Sequence, residues 1–312
     1  MNDFYFGIDI GGTFVKSGIV DTYGKVLFQK KAKTDLKSFD LADIVWTLVE
    51  KLSTEANVNP NKALGLGIAC AGTIDSQSGV IRYSPNLKIK DYPLATKLQK
   101  HLSVPIKVVN DAEAVVLAEQ HFGAGRNCDD FLMITLGTGI GGGVVFNGKS
   151  LRSNKPFACE VGHIKIAGKK IKCGCGEYNC FETLASTSAL VREIKLAMQK
   201  NPESKLWTKG TTETISAVHL FELLGKDKTA DLVFENYISN LGNGIVSIIN
   251  ILCPKKVIIG GAISKQKEKL LSPLKAYVDN HIHTKHINNK IDFCVSAFDN
   301  DSGIVGSVCL FK

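Results

Sequence analysis

His163, Cys173, Cys175 and Cys180 place one imidazole and three thiols in the run Gly-His-Ile-Lys-Ile-Ala-Gly-Lys-Lys-Ile-Lys-Cys-Gly-Cys-Gly-Glu-Tyr-Asn-Cys-Phe-Glu. Three thiolates and a neutral imidazole form a closed tetrahedral ligand set for a structural zinc ion. The spacing, H-x9-C-x-C-x4-C, is not that of a zinc finger. Gly174 and Gly176 leave the backbone free to wrap a small ion. Glu160 and Glu182 bracket the run, so the knuckle is expected beside a polar site. Four protein ligands leave no open position for water, which argues against a zinc hydrolase.

A second chemistry is written in glycine. Residues 8–13 read Ile-Asp-Ile-Gly-Gly-Thr, and residues 134–139 read Ile-Thr-Leu-Gly-Thr-Gly. Each run follows an apolar stretch and precedes another, with turn signals at Gly24 and at Asn147-Gly148. Glycine after a strand lets backbone amides approach phosphate oxygens closely. Neither loop opens a helix, and no Gly-x-x-x-x-Gly-Lys-Ser/Thr occurs, so Rossmann and P-loop folds fit poorly. A third glycine turn, Gly260-Gly261, closes another apolar run in a position suited to a nucleoside.

The elements that must hold these groups follow from periodicity. Strands are expected over 5–10, 15–20, 25–29, 64–69, 105–109, 131–136, 144–146 and 256–259. A helix is expected over 40–54, where Leu41, Ile44, Val45, Leu48, Val49 and Leu52 recur at helical spacing. Others are expected from Asn110-Asp111 to about 122, over 230–252 and over 302–311. Strand, glycine loop and strand occur twice, an internal repeat that implies two like domains.

The 312 residues suffice for two domains of ordinary size. Hydrophobic content of 44% and charged content of 22% read as soluble and globular. No apolar run approaches the roughly 20 residues of a membrane span. The N-terminal residues lack the basic region and cleavage site of a signal peptide. Nine cysteines, an odd number with three in the cluster, argue for a reducing cytoplasm. The net charge of +8 is scattered; the lysine runs at 169–172 and 265–269 lack the interleaved aromatics of a nucleic-acid platform.

Together these motifs resemble the ROK family of sugar kinases and repressors, along nearly the whole chain. Asp9-Ile10-Gly11-Gly12-Thr13 resembles its first phosphate loop, with Lys16 beyond it, and residues 136–143, containing Gly137, Thr138 and Gly139, its second. Gly260 and Gly261 resemble its adenosine motif, and Glu160-x-Gly162-His163 with the cysteine run its sugar and zinc signatures. The resemblance implies an α/β fold of two ribonuclease H-like domains of the actin-like ATPase clan, with a cleft between them. It implies residues 1–117 plus 300–312 as a small N-terminal domain. Residues 118–299 would form a larger one with the zinc knuckle and a dimerisation surface, the chain crossing near 110–117.

Function follows in the same terms. The resemblance implies transfer of the γ-phosphate of ATP, with magnesium, to the 6-hydroxyl of a neutral hexose. Asp111 would be the base, and Asn86, Asn110, Asp111, Glu160, His163 and Glu182 the sugar ligands. Read as residues alone, Asn110 and Asp111 equally suit capping of the following helix; the surrounding motifs favour catalysis. A ring of carboxylates and amides suits vicinal hydroxyls, and His163 can offer one ring nitrogen to zinc and the other to the sugar. The implied assembly is a cytoplasmic homodimer or homotetramer without nucleic-acid or membrane partners.

Glucose ranks first, a β-glucoside or N-acetylmannosamine next, and fructose or allose behind. Three departures lie near the sugar and metal sites. Lys88-Ile89-Lys90 stands where glucose-specific relatives often carry Gly-Trp, and Cys159 and Asn179 stand where glycine is usual. The first leaves room for an N-acetyl group or an aglycone. A sugar-responsive repressor is the alternative of another class. It is disfavoured because the first phosphate loop comes almost at once, where a repressor carries a helix-turn-helix.

Overall fold

The computed structural model describes residues 3–151, 159–287, 290–298 and 301–312. Two compact units emerge: Met1–Asp129 with Gly143–Cys159 and Ala297–Lys312, and Asp130–Gly142 with Glu160–Ser296. The boundary expected after residue 117 falls inside a helix that lies wholly in the first unit. The one expected at 299/300 lies outside the described residues.

The first unit begins with β1 (Phe4–Ile10), β2 (Phe14–Asp21), β3 (Val26–Lys33), α1 (Leu41–Ala56) and β4 (Leu66–Cys70). It continues through β5 (Thr73–Asp75), β6 (Val80–Ser84), β7 (Ile89–Tyr92), α2 (Leu94–Leu98), β8 (Ile106–Asn110) and α3 (Asp111–Phe122). Its main sheet has the order β3-β2-β1-β4-β8. β1 to β3 form an antiparallel meander, and β4 and β8 run parallel to β1. β1 reads Phe-Tyr-Phe-Gly-Ile-Asp-Ile because it is buried on both faces, whereas edge strand β3 alternates and carries lysine outward. The helical stripe of α1 packs on Phe4, Phe6, Ile8 and Ile10, and Asp40 caps the helix by accepting from Ala42 N–H. A smaller antiparallel sheet, β5-β6-β7, had no signal in the sequence reading.

The second unit begins with β9 (Phe131–Leu136) and the start of β10 (Ile140–Phe146). The remainder of β10 continues into the first unit and pairs with β11 (Lys149–Ser150) through the turn Asn147-Gly148, where both φ are positive. Then follow α4 (Phe181–Ala185), α5 (Thr187–Lys200), α6 (Ala217–Leu223), α7 (Lys228–Leu252), β12 (Lys256–Gly260), α8 (Glu268–His281) and β13 (Asp292–Val295). β12 runs parallel to β9 on one side and β13 on the other. α7 matches its expected span, capped by Asp227 and ended by Cys253 in left-handed conformation just before Pro254.

The chain returns to the first unit as α9 (Ser302–Val308), with a tighter turn, Cys309–Phe311, in place of the expected last helical turn. α9 buries Ile304, Val305 and Val308. Among the described residues no helix is long and apolar enough to cross a membrane.

One sequence expectation is corrected. The glycine loop expected to run to residue 143 ends at Gly139, because β10 starts at Ile140. Gly142 and Gly143 are strand residues, small because the Met133 carbonyl and the Val116 side chain respectively occupy the space a Cβ would need.

Candidate active site

In the first unit, chemistry gathers at the carboxyl ends of the parallel strands, where open α/β sheets place their ligands. Ile10, Cys70 and Asn110 form one cross-strand row, with Asp9 one residue before it and Asp111 one after. Strand spacing of about 4.8 Å puts the ends of β1 and β8 about 10 Å apart.

Asp9 lies 3.6 Å from the Lys16 ammonium. Burial raises the Asp9 pKa above the ordinary 3.8, Lys16 partly offsets this, and the nearby Asp111 adds to the rise. α9 passes so close that a Cβ on Gly303 would stand 2.6 Å from the carboxylate carbon. The folded pKa thus exceeds the unfolded one. The contribution of Asp9 to stability is complete below the unfolded value and is lost as pH rises through the folded one. Asp9→Asn, which removes the buried charge, is therefore expected to raise the melting temperature at neutral pH. A variant melting at or below the wild-type temperature at neutral pH would refute this.

The loop after β1 is closed by Gly11 N–H donating to the Phe14 carbonyl at 3.0 Å. Thr34 holds it from β3, its hydroxyl donating to the Gly11 carbonyl at 2.8 Å. Gly12 and Thr13 are exposed at its tip. Asn86 is exposed too and lies against Gly12, its Cβ 3.6 Å from where a Cβ on that glycine would sit.

Asn110 caps α3, accepting from Ala112 N–H at 3.0 Å and Glu113 N–H at 3.3 Å. Its amide nitrogen donates to the Gly72 carbonyl at 2.9 Å. The capping reading of this pair thus has a structural counterpart in Asn110, and Asp111 stands half-buried in the first turn. There Asp111 accepts from Ala112 N–H at 3.0 Å.

In the second unit Gly137, Thr138 and Gly139 connect β9 to β10. Thr187, opening α5, donates its N–H to the Gly137 carbonyl at 3.0 Å. Gly260 pairs across the sheet with Thr135, and Gly261 (φ +90°) turns over the Leu136 carbonyl, so the third glycine turn lies beside the second loop.

The knuckle is compact. Glu160 and His163 share one turn, closed by His163 N–H donating to the Glu160 carbonyl at 3.0 Å. His163 Nδ1 lies 3.7 Å from Cys173 Sγ, and Cys175 Sγ lies 3.7 Å from Cys180 Sγ. All four donor atoms lie within 4.8 Å of one another. A tetrahedron with bonds of about 2.3 Å has edges of about 3.8 Å, so the residues present fit zinc. Asn179, at φ 58°, takes the left-handed conformation a glycine would take there, as does Cys159 at φ 61°.

Glu182, in the first turn of α4, ties this knuckle to the second loop. Its Oε1 accepts from the Cys173 thiol at 3.0 Å and lies 3.9 Å from His163 Nδ1. Its Oε2 accepts from Ile140 N–H at 3.4 Å and fills the space beside Gly139. No local signal in the sequence points to that link, nor to the Thr187 and Thr34 contacts.

The chain belongs to the ROK family, whose model matches residues 5–312. It is 32% identical to a glucokinase of Thermotoga maritima, over 98% of this chain and 96% of that one. A ROK family glucokinase from Streptomyces griseus, solved in complex with glucose and AMPPNP, superposes with a TM-score of 0.82 at 29% identity, covering 98% of both chains. The xylose repressor of Caldicellulosiruptor bescii is 27% identical over 97% of this chain and 77% of its own length.

Proposed function

We infer that this chain is an ATP-dependent hexose kinase acting on the 6-hydroxyl of a neutral sugar, glucose first. The observation that carries this reading is the position of Asp9 near the carboxyl end of β1 and of Asp111 just beyond that of β8, two parallel strands flanking β4, in a chain similar to glucokinases from end to end. Asn86, Asn110, Asp111, Glu160, His163 and Glu182 would hold the sugar hydroxyls. Asn110, with Oδ1 engaged by two amides, offers its second N–H.

Asp111 accepts the proton of the 6-hydroxyl as the hydroxyl oxygen attacks the γ-phosphorus of ATP and the bond from that phosphorus to the β,γ-bridging oxygen breaks, releasing ADP. Phosphoryl transfer has a loose transition state and asks mainly for positioning, so a carboxylate of ordinary basicity suffices. Gly11, Gly12 and Thr13, with Gly137, Thr138 and Gly139, supply backbone amides for phosphate oxygens, and Lys16 a positive charge. The turn at Gly260 and Gly261 would receive the nucleoside. Magnesium would be held through Asp9 and, when bound, would offset the negative charge of the phosphates. Zinc, when bound by His163, Cys173, Cys175 and Cys180, is structural and fixes the turn carrying Glu160 and the helix carrying Glu182.

The sugar-facing set contains no Arg or Lys, which favours a neutral substrate. A site built to hydrogen-bond hydroxyls rejects sugars that lack one, because its own group is then left unpaired. A β-glucoside or N-acetylmannosamine ranks next, since Lys88-Ile89 stands where glucose-specific relatives often carry Gly-Trp. Similarity to repressors raises the regulator reading; Asp111 in the position of a base favours the kinase. The proposal extends to a cytoplasmic homodimer or homotetramer. A coupled assay with ATP and magnesium across glucose, mannose, N-acetylmannosamine, fructose, allose and a β-glucoside is expected to show highest kcat/KM for glucose. Turnover only of a phosphorylated or acidic sugar would overturn the reading of the pocket.

A further inference from the structure

We propose that Lys165 is the counter-charge of the metal knuckle and sets how tightly it keeps its ion. This rests on the zinc reading above. Three thiolates and a neutral imidazole around a divalent cation carry a net charge of −1, and the Glu182 carboxylate beside Cys173 adds another negative charge. A cluster of that sign beside bulk water gains from a fixed cation.

The structure places one there. Lys165 Nζ donates to Cys180 Sγ at 3.2 Å. The contact is built into the backbone. Lys165 and Cys180 face each other in an antiparallel bridge. Ile166 N–H donates to the Asn179 carbonyl at 3.1 Å on one side, and Phe181 N–H to the Ile164 carbonyl at 2.8 Å on the other. Residues directly opposite in such a pair bring their side chains together. Cys180 is fully buried while the Lys165 side chain is 51% exposed, so the ammonium closes the solvent side of a buried sulfur. Glu177 Oε2, 3.9 Å from the same ammonium, lies on the exposed side and is screened by water. The neighbouring lysines are engaged elsewhere: Lys169 pairs with Glu193, and Lys170 lies over the Tyr178 ring.

A charge-assisted hydrogen bond from an ammonium stabilises a thiolate ligand and opposes its escape from the metal. Groups outside the ligand set that contact it change metal affinity by about 10–100-fold when removed, and half exposure places Lys165 at the lower end. Wild type, Lys165→Gln and Lys165→Arg, purified without chelator, would be assayed for zinc by atomic absorption. They would then be mixed with the chromophoric chelator 4-(2-pyridylazo)resorcinol at about 10 mM and about 1 M salt, where the screening length falls from about 30 Å to about 3 Å. One zinc per chain is expected in all three. At low salt Lys165→Gln should surrender it about tenfold faster than wild type, with Lys165→Arg between them, and the gap should narrow at high salt. Equal release from wild type and Lys165→Gln would overturn the role of Lys165 and leave the zinc reading standing. A gap that salt does not change would mean loop packing rather than charge and would also overturn it. Wild type without zinc would overturn both.

Discussion

Replacing Asp111 by Asn is expected to lower kcat about 10²- to 10⁴-fold with little change in sugar affinity. The substitution is nearly isosteric, and its amide oxygen can still accept from Ala112 N–H, as Asp111 does at 3.0 Å. The cap of α3 is unaffected, because Asn110 provides it. What disappears is the half-buried carboxylate of the first turn; Glu113, the other acid of that turn, is buried. Sugar binding measured by calorimetry, alongside steady-state turnover, separates the two effects. Near wild-type turnover would remove Asp111 from the role of base, and lost sugar binding with intact turnover per bound sugar would make it a ligand only.

The frame around Asp111 was legible because its signals are local. Apolar runs of strand length at β1, β4 and β9, and the helical stripe of α1 from Leu41 to Leu52, are visible in windows of a dozen residues. Asn110 and Asp111 announced a helix start in the same way. The segment from α4 to α6 and helix α8 escaped. Several of these helices are short, and Pro273 interrupts the pattern of α8.

The cluster of His163, Cys173, Cys175 and Cys180 was legible as well, since cysteine is scarce and the four residues lie within one stretch of chain. What could not be read is how groups distant in sequence share space. Asn110 is held by the Gly72 carbonyl, and Glu182 sits in the space beside Gly139. The glycines at 142 and 143 show the reverse error. A local rule assigned them to the phosphate loop, whereas their cause is tertiary, the crowding by Met133 and Val116.

The same crowding makes Gly139 the sharper probe of the second half-site. A Cβ there would collide with the Glu182 carboxylate, while a Cβ on Gly137 would meet nothing within 4 Å. Neither glycine has a positive φ, so alanine brings no backbone strain at either position. The colliding atom is the end of a flexible side chain, so the expected response to Gly139→Ala is rotation of Glu182 rather than unfolding. Rotation breaks its contacts with Ile140 N–H and the Cys173 thiol together. It also withdraws a hydroxyl partner from the sugar; an interaction of about 1–3 kcal/mol corresponds to roughly a tenfold to hundredfold rise in KM for sugar. Gly137→Ala should leave that KM unchanged and, on the proposed reading of this loop as a phosphate loop, act on KM for ATP. Both variants should melt within a few degrees of wild type. Equal sugar KM values for Gly139→Ala and wild type would show that Glu182 does not hold the sugar.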